Sequence, residues 1–241
     1  LTQISIPSSI TSIGDNSFAG CSCLEQICIP SSVSYIGVNS FNCCSSLKQI
    51  TIPPSVIEIG EYAFKGCKKL TEIIIDIYLT NVHDNAFDGC DSLEHLIFGS
   101  SVKIIKDIKC ALLQKVKCIT VPETVTAIED NGFIGHSSLV SINILSSLTF
   151  IGTSAFKNCK SLSQITIPSS ITEIEFSCFY GCTSLSQITI PPSVESIKDN
   201  AFAYCSSLEQ INIPSSVVKI GNNAFDCCSS LKQITIPSSV N

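Results

Sequence analysis

The chain has 241 residues, a net charge of −6, and 14 basic residues that are all lysine. Nucleic-acid-binding surfaces usually carry a basic, arginine-bearing face, so this composition argues against a nucleic-acid partner. The sequence has no run of about 18 apolar residues, so it predicts no direct insertion into a membrane.

The whole sequence is built on one strict 23-residue repeat without insertions. Ten full copies begin at residues 1, 24, 47, 70, 93, 116, 139, 162, 185 and 208, and a partial copy covers residues 231–241. A constant period in this range is typical of a solenoid, whose stacked coils share one core. We predict a single solenoid over residues 1–241. The start without Met and the incomplete last copy indicate a fragment of a longer chain.

The first half of each copy predicts two short extended segments. The consensus is L-x-x-I-x-I-P-S-S-V-x-x-I-G-x-x-A-F-x-x-C-x-x. Apolar positions 4 and 6 alternate with polar positions 3 and 5, which indicates a half-buried strand. Position 7 is Pro in eight of eleven copies, and it should end this strand and begin a turn with the two following Ser. Apolar positions 10 and 13 indicate a second, shorter extended segment.

The second half of each copy predicts a turn that buries two side-chain ladders. Position 14 is Gly in half of the copies, and position 15 is often Asp, which suits the cap of a short helical turn. Position 18 is Phe in nine of ten copies, and position 21 is Cys in eight of ten. Stacking of the coils should merge these residues with the strand Ile side chains into one core.

Two sequence patterns carry a family resemblance along the whole chain. LxxIxIPSSV resembles the strand-bearing half of a leucine-rich repeat, and IGxxAFxxC is similar to the BspA-like (treponemal-type) leucine-rich repeat family. The resemblance implies an α/β leucine-rich-repeat solenoid of 23-residue coils, with a parallel β-sheet on one side and short extended segments and helical turns on the others. It also implies a cell-surface or secreted protein that binds host proteins or other cells.

The 15 cysteines occur in a pattern that favours free thiols over disulfides or a metal site. Eight of them occupy position 21, where a buried Cys packs as a small hydrophobe. Disulfides between neighbouring copies and a metal site are the alternatives. Cys21 and Cys28 are close in sequence, but the repeat places one in the core and the other on the solvent face. We therefore predict no metal and no cofactor.

The repeat does not bring candidate catalytic side chains together at one place. The three histidines occupy repeat positions 14, 3 and 21, which face different directions, and no phosphate-binding Gly loop is present. We therefore predict that the protein is not an enzyme. The leading interpretation is a protein-binding, adhesion module of a cell-surface or secreted protein. The alternative is an intracellular scaffold or structural protein, which the thiols and the absence of an N-x-S/T sequon favour.

The solvent side of the predicted sheet changes character in the middle of the chain. Position 3 is Gln in seven copies and position 5 is mostly Thr, Ser or Asn, which predicts polar ladders with amides bonded along the sheet. In the fourth and fifth copies, position 5 becomes Ile. Exposed apolar groups with a polar rim mark interaction sites, although drift of the repeat or a local helix would also explain the change. The predicted protein-binding residues are Glu72, Ile74, Ile77, Tyr78, His95 and Ile97.

Overall fold

The structure, a computed structural model, describes residues 2–76, 82–106, 114–145 and 147–241. The chain divides into two compact units. Unit 1 comprises Leu1–Val102 with Lys109–Val116, and unit 2 comprises Lys103–Ile108 with Lys117–Asn241. Each unit is built from the predicted coils and is described by itself below. The single solenoid over residues 1–241 stays a prediction.

The described residues contain twenty short strands and no α-helix. In chain order the strands are β1 (Gln3–Ser5), β2 (Ser12–Ile13), β3 (Gln26–Cys28), β4 (Tyr35–Ile36), β5 (Gln49–Ile52), β6 (Glu58–Ile59), β7 (Glu72–Ile75), β8 (His95–Phe98), β9 (Ile104–Ile105), β10 (Cys118–Val121), β11 (Ala127–Ile128), β12 (Ser141–Ile144), β13 (Phe150–Ile151), β14 (Gln164–Ile165), β15 (Glu173–Ile174), β16 (Gln187–Thr189), β17 (Ser196–Ile197), β18 (Gln210–Asn212), β19 (Lys219–Ile220) and β20 (Gln233–Thr235).

Strands of neighbouring coils pair in parallel, and each residue faces its counterpart one repeat later. In unit 1, β1 pairs with β3, and β5, β7 and β8 follow one another, with Ile50 opposite Ile73. In unit 2, the corresponding series are β10–β12–β14 and β16–β18–β20, with Ile188 opposite Ile211. The shorter strands form a second set, β2–β4–β6 in unit 1 and β9–β11–β13 and β15–β17–β19 in unit 2. The two predicted extended segments are confirmed.

The alternation along each longer strand separates the core from the solvent. In β5, Ile50 and Ile52 are buried, whereas Gln49 and Thr51 are exposed. This inside–outside pattern recurs in the other longer strands of both units because the repeat has a constant length and the strand side chains have a period of two. Position 3 and position 5 therefore form two outward columns on each sheet, as predicted.

The segment after the second strand consists of consecutive hydrogen-bonded turns, so the predicted helical turn is wrong. In the first coil, the amide of Ala19 donates to the carbonyl of Asn16 at 3.1 Å, and that of Cys21 donates to Phe18 at 3.1 Å. Asn16 and Gly20 have φ angles of 56° and 75°. A left-handed residue every four positions prevents helical propagation, which requires successive residues with negative φ.

Aspartates at position 15 connect neighbouring coils. The Oδ1 atom of Asp15 accepts a hydrogen bond from the amide of Val38 at 2.8 Å, and that of Asp130 accepts from Thr153 at 2.7 Å. The predicted cap of a helix in the same coil is therefore replaced by a contact with the following coil. Each carboxylate satisfies an amide that the turn leaves without an intracoil partner.

The predicted phenylalanine ladder is present in both units. Phe18, Phe41, Phe64 and Phe87 stack in unit 1, with ring centroids 5.1–5.2 Å apart. The stack in unit 2 runs from Phe133 to Phe225 in five rings, with centroids 5.3–5.5 Å apart. These near-parallel rings form the aromatic centre of each core.

The position-21 cysteines lie beside this ladder and connect successive coils. The thiol of Cys67 donates to the carbonyl of Phe41 at 3.3 Å, and the thiol of Cys182 donates to that of Phe156 at 3.1 Å. Six of the eight are buried, and the remaining two, in the first and the tenth coils, are partly exposed. The fourteen described cysteines are free thiols in this structure. The core ladder is confirmed, and its thiols contribute hydrogen bonds as well as apolar volume.

We expect the thiols to fall into two reactivity classes. The exposed Cys23 and Cys227 should react quickly with a thiol reagent at pH near neutrality. Cys159 and Cys205 should react only after denaturation, because they are buried and desolvation raises the pKa of each thiol to about 12. Titration of native and of denatured, unreduced protein measures the two classes. A freshly purified sample with nearly all cysteines oxidised would contradict the ladder of free thiols.

Candidate protein-binding surface

The outward side of β7 and β8 brings together four of the six predicted site residues. The pairing of these strands places Glu72 opposite His95 and Ile74 opposite Ile97. Their inward neighbours Ile73 and Leu96 are fully buried, which fixes the outward direction of the four residues. We call these four residues the β7–β8 outer face. The other two predicted residues, at positions 77 and 78, lie outside the described residues.

The β7–β8 outer face combines an apolar centre with a polar rim. Ile74 and Ile97 are half-buried within their strands, and His95 is exposed. Glu72 accepts a hydrogen bond from the side-chain amide of Gln49 at 2.6 Å, which orients its carboxylate along the sheet. Neighbouring apolar side chains with a polar edge are suited to desolvation by a partner surface.

The other histidines lie apart from this face. His83 is exposed, with its Nδ1 atom 3.7 Å from Glu61. His136 is buried at position 21, where its ring meets the edge of Phe133 at a centroid distance of 5.8 Å. Within the described ranges, no group of three or more His, Cys, Asp and Glu side chains is arranged to hold a metal ion. The same ranges include no helix with the length and apolarity needed to cross a membrane.

The predicted hydrogen bonds between stacked glutamine amides are not formed. Among the described glutamines of the position-3 column, only Gln49 has a side-chain hydrogen bond, and its acceptor is Glu72 rather than another amide. The remaining glutamines, Gln3, Gln26, Gln164, Gln187, Gln210 and Gln233, leave their amides available to solvent. The sequence shows that the glutamines form a column, but it does not show their side-chain conformations. It therefore could not predict that these amides stay free of hydrogen bonds within the chain.

The parallel strands in one-repeat register and the stacked phenylalanine core define leucine-rich-repeat coils. The sequence matches the family described as BspA type leucine-rich repeat region (6 copies) over residues 1–110 and 107–232. The chain therefore belongs to the BspA-type leucine-rich repeat family. The resemblance inferred from the sequence is confirmed, as is the repeat fold apart from its helical turns.

The solved structures that match this chain include proteins from bacteria. A leucine-rich repeat protein from Bacteroides ovatus is 29% identical, with a TM-score of 0.52 and coverage of 99% of this chain and 79% of its own. A leucine-rich cell surface protein from Faecalibacterium prausnitzii is 27% identical, with a TM-score of 0.38 and coverage of 97% and 87%. The pneumococcal vaccine antigen PcpA is 21% identical, with a TM-score of 0.47 and coverage of 99% and 73%. No curated protein matches the chain.

Proposed function

We propose that this chain is the protein-binding, adhesion module of a cell-surface or secreted BspA-type leucine-rich repeat protein. The observation that carries the proposal is the β7–β8 outer face, where two neighbouring Ile side chains replace the Thr, Ser or Asn found in most other copies. The surface or secreted location is proposed because members of this family are often cell-surface or secreted proteins. The proposed partner is a protein of a host or of another cell surface.

The chemistry of this face favours a protein over a small molecule. A small ligand needs a concave site that encloses most of its surface, whereas Ile74 and Ile97 project from an open sheet. A protein can cover both side chains at once and exclude water from them, while Glu72 and His95 offer hydrogen-bonding groups at the edge. Apolar anchors within a polar rim are the usual composition of such contacts.

We expect the double substitution Ile74→Thr and Ile97→Thr to weaken binding about tenfold or more, because it replaces both apolar anchors by the polar residue usual at this position. The measurement is binding of the purified chain to intact cultured cells and to immobilised cell-surface protein, by flow cytometry and by surface plasmon resonance. The unfolding midpoint of each variant should be measured in parallel.

The matched control makes similar substitutions beside the shorter strands instead of on the β7–β8 outer face. Ile57 and Val218 are 68% and 48% exposed, and both lie next to the shorter strands. Ile57→Thr with Val218→Thr should leave binding unchanged. Equal losses in the two double variants, or a loss in the control alone, would show that the β7–β8 outer face is not the contact.

An intracellular scaffold is the second candidate function. The free thiols of the core favour it, because reduced cysteines are typical of intracellular compartments. The two candidates differ in where the full-length protein resides. Antibody labelling of intact and permeabilised cells separates them: labelling of intact cells supports the adhesion module, and labelling only after permeabilisation supports the scaffold.

A further inference from the structure

We infer that the outward sheet face of unit 2 binds a neutral polysaccharide chain, at a site separate from the β7–β8 outer face. A groove of about 470 Å³ crosses β12, β14 and β16, and a second of about 350 Å³ crosses β16, β18 and β20. Both grooves are lined by Gln187 and Thr189, so they join into one continuous site. We call it the amide–hydroxyl groove. Its outward side chains are those of Ser141, Asn143, Gln164, Thr166, Gln187, Thr189, Gln210, Asn212, Gln233 and Thr235.

Apart from the Ser141 hydroxyl, which donates to the thiol of Cys118 at 3.4 Å, the polar side chains of this groove take no part in holding the fold together. The outward side chains of β14, β16, β18 and β20 are exposed and form no hydrogen bond within the chain. Hydroxyls on the turns behave differently. Ser193 donates to the carbonyl of Ile171 at 2.6 Å, and Ser216 donates to that of Val194 at 2.7 Å. Apart from Ser141, the groove hydroxyls and amides therefore keep their full donor and acceptor capacity for a ligand.

The groove carries no charge, although the chain as a whole has a net charge of −6. At repeat position 2, next in sequence to the groove glutamines, Lys232 and Glu209 pair with each other at 3.3 Å. An acidic or basic polymer would find no compensating charge in the groove. A partner protein would find no exposed apolar or aromatic anchor there. A neutral chain of sugars, whose hydroxyls both donate and accept, matches the uncharged amides and hydroxyls.

The repetition of the groove also favours a repeating ligand. In the coils of β14, β16, β18 and β20, position 3 is Gln and position 5 is Thr or Asn, with about 4.8 Å between neighbouring strands. Equivalent contacts can then form to successive sugar units along the groove. Each contact is weak, so affinity should grow with the length of the glycan, because further units bind without a new loss of translational freedom.

Unit 1 contains a smaller relative of this site. A groove of about 300 Å³ is lined by Gln3, Gln26, Gln49 and Thr51, together with Cys28. There a thiol replaces one hydroxyl or amide position, and Gln49 is already bonded to Glu72. Fewer free groups face this groove, so we assign the polysaccharide site to unit 2.

Affinity electrophoresis in native gels tests the proposal, with dextran, laminarin or mannan as the neutral polysaccharide and polygalacturonate as the acidic one. We expect at least one neutral polysaccharide to retard the chain and polygalacturonate to have no effect. The double substitution Gln187→Ala and Gln210→Ala should raise the dissociation constant about tenfold, because it removes two donor–acceptor groups. The same change should be found by titration calorimetry at low and at high salt, because no ion pair contributes.

Thr172→Ala provides the matched control, because this threonine is exposed outside the groove and its hydroxyl has no partner. Its retardation should equal that of the unaltered chain. Three results would overturn the proposal: no retardation by any of the three neutral polysaccharides, retardation that high salt abolishes, or equal loss in the control. Loss of retardation in the Ile74→Thr and Ile97→Thr variant alone would also overturn it. Binding to cells and to cell-surface protein is measured separately, so the protein-binding proposal and the polysaccharide proposal can each fail without the other.

Discussion

Replacement of Phe156 by alanine is expected to lower the free energy of unfolding by about 3–5 kcal/mol. The ring is fully buried, and its centroid lies 5.4 Å from that of Phe133 and 5.5 Å from that of Phe179. Its removal leaves a void between two rings that the surrounding coils hold in place. Because each coil contacts only its neighbours, the void should weaken the stacking on both sides and broaden the transition.

Urea denaturation followed by circular dichroism measures this change, and Phe150→Ala is the matched control. Phe150 is 42% exposed and lies in the short strand β13 of the same unit. Its removal should change the free energy of unfolding by only about 0.5 kcal/mol, as is usual for surface substitutions. If the two variants had the same midpoint, the stacked ring would not be the support of the core that its burial indicates.

The sequence predicted those parts of the fold that depend on periodicity. A strand has a side-chain period of two, which predicts that Ile50 and Ile52 are buried and that Gln49 is exposed. Stacking of Phe156 on its neighbours follows from a repeat that places the same residue at the same point of each coil. For the same reason, the juxtaposition of Ile74 and Ile97 was predictable before any coordinates.

The turns were not predictable because contacts between coils determine them. Asp followed by small residues and Phe is a local helix signal, yet Asn16 adopts a positive φ angle and the Asp15 carboxylate bonds to the next coil. The amide–hydroxyl groove escaped prediction for a related reason. A column of glutamines is compatible both with amides bonded to one another and with free amides, and only the side-chain conformations distinguish the two.

Substitution of Gly152 by alanine is expected to cost about 2–3 kcal/mol, because the added methyl group meets the backbone of the preceding coil. An alanine Cβ at this position would lie 2.5 Å from Oδ1 of Asp130, 2.6 Å from its amide nitrogen and 2.7 Å from the carbonyl carbon of Glu129. The backbone cannot easily move away. Two hydrogen bonds hold it in place: the amide of Gly152 donates to the carbonyl of Ile128 at 2.8 Å, and the amide of Thr153 donates to Oδ1 of Asp130 at 2.7 Å.

The same substitution at Gly14, the equivalent position of the first coil, separates this clash from a general effect of alanine. There the added Cβ would be 3.4 Å from the hydroxyl of Ser17, which is an ordinary contact with a side chain. Gly14→Ala should therefore change the free energy of unfolding by about 0.5 kcal/mol or less. Thermal and urea denaturation of both variants provide the comparison. A Gly152→Ala protein as stable as Gly14→Ala would mean that neighbouring coils are less tightly packed at position 14 than the 2.8 Å hydrogen bond between them indicates.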